Sequence, residues 1–465
     1  MKSKLLIAVI CAAILFPLIL TGCADKTPEA ISSRFENLAE GGKFVKSEGK
    51  AGESAVYELG GQKTFNTLVL KEKGDSITKF RLYADDGAEP FYGNDFVDGY
   101  RYCSFGEVTA SEIRIEVQAA EGEWKLAAVE AYLAAGVPDG FEVMSYIQAD
   151  AAYSLTAEQA VIARNVTDFN LFGAIYLNKD GGLELTEYEI NGEVLGGEEV
   201  LREAVKVLKG VRPDATVVAT VLGNKDFGDG LAVNERHGSA MGENGDKLIA
   251  NINALIQKTG LDGISFDYEY PRTIKDFNIY AKFAEKLKSA MPAGKRLTAA
   301  LALWNISLTF MQAKELEPFD RIEMMAYDMF DKRGNHSTFY DSAYEIVKQL
   351  DKKGVDLKKV NLGLPFYSRP VNADSYWGNY YDVADKLGRY DNTYVEAYTD
   401  LDGKEHPELA NYYNGRQMIY DKTSYAIDCG LGGVMIWHFG TDSFDPDLSL
   451  INEINAAITA RGAKG

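Results

Sequence analysis

The stretch Leu261-Asp262-Gly263-Ile264-Ser265-Phe266-Asp267-Tyr268-Glu269-Tyr270-Pro271 alternates polar and apolar side chains. On an extended strand, Ser265, Asp267 and Glu269 share one face, while Ile264, Phe266 and Tyr268 share the other. The apolar face suits a layer of helices, which leaves the acidic face for an enclosed lumen. A rise of about 3.3 Å per residue sets the Cα atoms of Asp267 and Glu269 roughly 6–7 Å apart. Two carboxylates so close and partly shielded from water cannot both ionise easily, so one keeps its proton near neutral pH. A protonated carboxyl at a strand end is a general acid for a glycosidic oxygen. A surface acidic cluster or a divalent-cation site would share the spacing, so the pair alone leaves the chemistry open.

Working outward, β-branched runs alternate with amphipathic helical patterns from Val137-Pro-Asp-Gly140 onward, as in parallel βα units. Strands are expected at 142–146, 171–177, 216–222, 263–269, 297–303, 322–326, 360–364 and 433–439, with helical stretches such as 248–256 and 277–287 between them. Eight such strands close a TIM barrel over residues 137–462, and its chemistry belongs at the C-terminal strand ends.

The run from Asp262 to Glu269 resembles the signature Asp-Gly-x-x-x-Asp-x-Glu of glycoside hydrolase family 18, which usually has another Asp three places after the first. Family-like segments follow in order: Met324-Met-Ala-Tyr327-Asp328, Asn361-Leu-Gly-Leu-Pro-Phe-Tyr367 and Gly432-Gly-Val-Met-Ile-Trp437. The resemblance implies a retaining, substrate-assisted reaction in which the sugar's 2-acetamido oxygen is the nucleophile. Glu269 would then protonate the leaving oxygen and later activate water, and Asp267 would orient the acetamide N–H. Tyr327 would hydrogen-bond the acetamido carbonyl, Asp328 would support that wall, and Trp437 would floor the subsite of the reacting sugar. Tyr146, Tyr367 and Trp304 are further candidates for the pocket, and Asp262 and Ser265 for its support. Ser265 stands where the signature usually has its inner Asp, and is expected to hydrogen-bond Asp267. The third strand ends Ala-Thr220-Val-Leu-Gly223 where the family usually shows Ser-x-Gly-Gly.

The implied substrate is a β-1,4-linked, N-acetylglucosamine-containing glycan, chitin or its oligosaccharides. An endo-β-N-acetylglucosaminidase cutting N-glycan chitobiose cores would use the same residues. A surface glycan-binding protein with little or no turnover is a third reading, suggested by Ser265 and opposed by the presence of Glu269. An aromatic-rich insertion at about 368–418, between strands 7 and 8, includes Tyr376-Trp377, Tyr380-Tyr381 and Tyr412-Tyr413. Its rings are expected to divide between a cleft wall and a small core of their own.

Residues 35–136 carry short alternating runs such as Ile113-Arg-Ile-Glu-Val117, the pattern of an all-β sandwich. They resemble discoidin-type, galactose-binding-like domains, which implies glycan targeting or a ligand-free spacer. Trp124 and Tyr92 are contact or core residues there. No cofactor is implied, although such a sandwich can hold a structural calcium.

Met1-Lys-Ser-Lys4, an apolar run and Leu20-Thr-Gly-Cys23 have the order of a secretory signal over residues 1–22, too short an apolar run for a membrane span. The end resembles a bacterial lipobox, which implies lipid on Cys23 and a chain anchored to a membrane, facing outside the cytoplasm. Residues 23–34 then read as a tether. Losing Lys2 and Lys4 takes the net charge from −20 to −22, which excludes electrostatic binding of nucleic acid. Cys103 and Cys429 fall in different domains, so no disulfide framework is expected, and the four histidines show no metal-ligand spacing. The protein is expected to act as a monomer.

Overall fold

The computed structural model describes residues 25–462 apart from 226, 270, 303–310, 372–376 and 400–402, and apart from the side chains of Tyr398 and Pro407. Cys23, the leader, Trp304 and Tyr376 therefore lie outside the described residues.

Among the described residues, eight parallel strands close a barrel: β1 Glu142–Gln148, β2 Asp168–Leu177, β3 Thr216–Leu222, β4 Gly263–Asp267, β5 Arg296–Leu301, β6 Arg321–Met324, β7 Val360–Pro365 and β8 Gly433–Trp437. β1 pairs with both β2 and β8, which leaves no open edge. The alternation in β4 does what its sequence suggests. Ile264, Phe266 and Tyr268 join the core between barrel and helices, each worth about 1.5–3 kcal/mol of burial. The lumen holds a separate apolar cluster that includes Met144, Tyr146, Met325, Tyr327 and Met435. β4 is shorter than expected, ending at Asp267, so Glu269 lies two residues beyond the strand. The next helix, Ile274–Ala290, fixes the departing chain with a capping box. Thr273 N–H donates to Asp276 at 2.9 Å, and Thr273 Oγ1 accepts from Asp276 N–H at 3.2 Å.

The barrel floor is tied by charge. Arg296 reaches Glu142 at 2.6 Å and Asp168 at 2.9 Å. Asp262 belongs to this end. It pairs with Lys209 at 2.7 Å and accepts from Val217 N–H at 2.9 Å, so it supports the base of the barrel and not the acids at the mouth.

Residues 43–132 form one seven-stranded antiparallel sheet built on two long, bulged strands, Ser54–Glu72 and Tyr100–Ala120. The unit has its own core, with Phe65, Leu68, Phe80, Ile113 and Trp124 inside it. Tyr92 and Trp124 are both buried, which places them in the core.

This unit is joined tightly to the barrel. Helix Arg416–Asp428, between β7 and β8, is buried from Gln417 to Asp428. Arg101 of the antiparallel unit meets its Asp421 at 2.8 Å, and Tyr92 Oη and Ser104 N–H donate to the same carboxylate at 2.6 and 2.9 Å. From the last helix, Arg461 bridges Asp428 at 3.0 Å and Thr67 at 2.8 Å. Residues 25–34 are no free tether either. Ile31 is fully buried, and Arg34 donates to the carbonyl of Asp428 at 2.8 Å. An apolar residue and a carbonyl-seeking guanidinium within a short polar segment were enough to dock it.

Cys103 and Cys429 are free and buried. The acidic loops of the antiparallel unit face basic residues of the barrel. Arg333 takes Asp98 and Glu121, each at 3.0 Å, and Lys332 takes Asp75 at 2.6 Å. Among the described residues no group of three or more His, Cys, Asp or Glu is placed to hold a metal ion.

Candidate active site

The mouth of the barrel gathers the end of β4, the segment after β6, the start of the β7–β8 insertion and the end of β8. Asp267 points into the lumen at the last position of β4, and Glu269 follows on the loop; both are half-buried. Burial, then the charge of Asp328, pushes the Glu269 carboxyl from 4.5 up to about 7. Burial also raises Asp267 well above the carboxylate range, helped by Glu269 and Glu323. Asp328 goes the other way. Burial would raise it, but the hydrogen bonds it accepts and the Arg369 guanidinium outweigh that and hold it ionised. Its carboxylate accepts from Tyr367 Oη at 2.8 Å and from Arg369 Nε at 3.0 Å, with His336 Nε2 at 3.2 Å, on a backbone of φ +57°. The mouth thus holds one fixed anion, Asp328, beside a pair of acids, Asp267 and Glu269, that holds a proton into the neutral range.

Aromatic rings line the same mouth. Trp437 ends β8, half-buried, with ring centroids 5.2 Å from Tyr146 and 5.0 Å from Phe172. Tyr327 stands edge-on to Tyr367 at 6.2 Å. A Cβ at Gly363 of β7 would lie 3.0 Å from the Tyr327 ring and 2.4 Å from the Met324 carbonyl oxygen, so glycine makes room for that tyrosine. Tyr367 is buried, and Trp377 stacks on it at 4.2 Å and 11°, with the Arg369 guanidinium 4.6 Å from the Trp377 centroid. Trp377 and Tyr381 remain 41% and 48% exposed, whereas Tyr380, Tyr412 and Tyr413 are buried, so the insertion divides its rings between surface and core.

The structure therefore brings Asp267, Glu269, Tyr327, Asp328, Tyr367, Trp437 and Tyr146 together. Tyr146 lies under Trp437, and its hydroxyl is directed to Glu323. Ser265 departs from expectation. Its hydroxyl donates to Glu323, with 3.1 and 3.2 Å to the two oxygens, because the carboxylate across the lumen is a stronger acceptor within reach. Glu323, fully buried on β6, also accepts from Asn170 Nδ2 at 3.1 Å, and Asn170 in turn accepts from Thr220 at 2.5 Å. Glu323, Asn170, Phe172, Arg369 and His336 escaped the sequence reading. Glu323 did leave a signal, since it shares strand parity with Met325 and Tyr327. At the third strand's end, Gly223 backs onto buried His237, whose ring lies 4.1 Å from Tyr268.

Residues 114–442 match the model of Glycosyl hydrolases family 18. An endochitinase of Manduca sexta is 24% identical over 262 residues, 42% of this chain and 46% of that protein. The chain thus spans about half the length of this curated relative. Among solved structures, a GH18 chitinase of Flavobacterium johnsoniae has a TM-score of 0.53 at 23% identity, covering 69% of this chain and 94% of that one. A Cycas revoluta chitinase in complex with (GlcNAc)4 has a TM-score of 0.53 at 15% identity, covering 69% and 99%. At these identities the likeness of the structures shows the fold.

Proposed function

The chain belongs to glycosyl hydrolases family 18, whose model spans well over half of it, and from that premise we propose that it hydrolyses β-1,4 linkages of N-acetylglucosamine-containing glycans of the chitin type with retention of configuration. The observation that carries the reading is the half-buried Glu269 two residues beyond the end of β4, next to Asp267, with burial pushing its carboxyl up to about 7, at the same barrel mouth where Trp437 ends β8. Glu269 gives its proton to the glycosidic oxygen as the bond to C1 breaks, and the substrate's acetamido carbonyl oxygen closes on C1. Asp267 accepts the acetamide N–H, and the Tyr327 hydroxyl supports the carbonyl oxygen. The Glu269 carboxylate then takes a proton from water as the water oxygen attacks C1 and the bond from C1 to the acetamido oxygen breaks, which restores the acid and the acetamide and leaves the product with the starting anomer. Trp437, backed by Phe172 and Tyr146, offers its face to the sugar in the reacting subsite. For the antiparallel unit we propose a discoidin-like, glycan-targeting role, supported by its own apolar core and its all-antiparallel strands.

Defined N-acetylglucosamine oligomers, incubated with wild type and Glu269→Gln and followed by anomer-resolved chromatography, test the reading. Wild type is expected to release the β-anomer, and the variant to lose about 10³-fold or more in rate while its fold is kept. Cleavage of an N-glycan core with the oligomers left intact would move the substrate to the chitobiose class. Binding without product from the wild type would make the protein a lectin.

A further inference from the structure

The signature's inner acid is missing at position 265, yet the lumen has not lost a carboxylate. Glu323 rises from β6 into the same space, fully buried, and Ser265 donates to it. The register explains how two strands share one position. Asp267 pairs with Ala300 of β5 and Ala300 with Glu323 of β6, so the two acids lie in one line across three strands. The tilt of barrel strands, about 36°, then brings Glu323 to the level of Ser265, two residues before Asp267, within reach of the Asp267 carboxyl electrostatically.

We propose that Glu323 supplies from β6 the buried carboxylate that related chains carry on β4 at position 265, and that it acts as the positioning residue for Asp267. The inference rests on the catalytic reading above and adds a residue to it. Three neutral groups donate to Glu323: Tyr146 from β1, Asn170 from β2 and Ser265 from β4. Burial raises the Glu323 carboxyl above its ordinary value, and these donors work against that rise, because only the ionised form can accept from all of them. The other titratable groups facing Glu323 are Asp267 on β4, Tyr327 beyond β6 and Tyr280 on the helix behind β4. A fixed anion near Asp267 does two things. It keeps a proton on the resting Asp267–Glu269 pair, and it lowers the energy of the cation that forms above Asp267 when the acetamido oxygen closes on C1. Serine at 265 is then no defect, since a second carboxylate there would face Glu323 at hydrogen-bond distance with no base between them.

A charge swap tests this. Glu323→Gln removes the anion with little change of shape. It is expected to lower kcat roughly 10-fold or more and to move the alkaline limb of kcat/KM toward acid by about half a pH unit, because the pair loses its protons more readily. Ser265→Asp/Glu323→Gln returns one carboxylate to the lumen, with the new amide as its donor, and should recover both rate and limb. Ser265→Asp alone sets two carboxylates together and should lower the melting temperature, a loss that the double variant repairs. An unmoved limb in Glu323→Gln, or a double variant no better than Glu323→Gln, overturns the proposal. If wild type cleaves no oligomer, the catalytic reading fails by itself. The carboxylate claim is then decided by the ¹³C titration of Asp267, whose midpoint must fall in Glu323→Gln.

Discussion

At the scale of single residues, the active centre is a problem of distributing protons among acids. Asp328 is held ionised by Arg369 and Tyr367, and its charge in turn helps to keep a proton on half-buried Glu269. A carboxyl raised from 4.5 to about 7 works against the fold once it ionises. The stability associated with its neutral form is complete below about 4.5 and is lost as pH rises through about 7. Glu269→Gln has no such titration. The variant is therefore expected to melt with wild type near pH 4 but about 2 °C or more above it at pH 8, in calorimetry across that range. Coincident melting curves at pH 8 would mean that Glu269 is no more costly to ionise in the fold than in the open chain. Glu269 and Asp267 could be read from the sequence because their alternation with Ile264, Phe266 and Tyr268 declares a two-faced strand. Glu323 could not be recognised in the same way. It is one acid in the apolar run Ile322-Glu-Met-Met, and its meaning comes from Tyr146, Asn170 and Ser265 on three other strands.

At the scale of elements, period-two and period-3.6 patterns located every barrel strand, whereas strand ends were less well defined. β4 stops at Asp267 because the chain must turn into the capped helix Ile274–Ala290, and that turn carries Glu269 to the mouth. Among its described residues, the insertion after β7 forms a small antiparallel sheet of four strands, beginning at Tyr367–Pro370, whose cross-strand neighbours decide which tyrosines are buried. Composition alone could not separate Tyr412, at 0% exposure, from Trp377 at 41%. Trp377 keeps its ring open to solvent while Tyr367 and Arg369 fix its angle from behind, so it offers a ready face to a sugar beyond the reacting one. In Trp377→Ala, KM for oligomers of four or more sugars is expected to rise roughly 5- to 20-fold with kcat nearly unchanged, the mark of lost uniform binding. An equal loss on the shortest substrate, or a loss confined to kcat, would place the ring's effect on Asp328 and the chemistry instead.

At the scale of the whole molecule, the antiparallel unit and the barrel behave as one folded body. The sequence suggested two domains and a tether because Arg101, Asp421, Asp428 and Arg461 look like ordinary surface charges when read singly. Paired, they form the buried seam that holds helix Arg416–Asp428 between the two units. Removing one side of such a seam leaves charges buried without partners, at about 3–5 kcal/mol for each broken pair, on the order of half a domain's total stability. The helix also turns no face to water, since its residues from Gln417 to Asp428, polar ones included, are all covered. A chain beginning at residue 137 is therefore expected to be insoluble, or to melt without a cooperative transition in calorimetry, although it retains Asp267, Glu269, Tyr327 and Trp437. A flexibly linked targeting module would give the opposite result: a truncated barrel that melts like the full chain and cleaves soluble oligomers at the full rate, with only insoluble substrate affected. The buried Arg101–Asp421 contact, 2.8 Å long and closed to solvent, is what makes the first outcome the expected one.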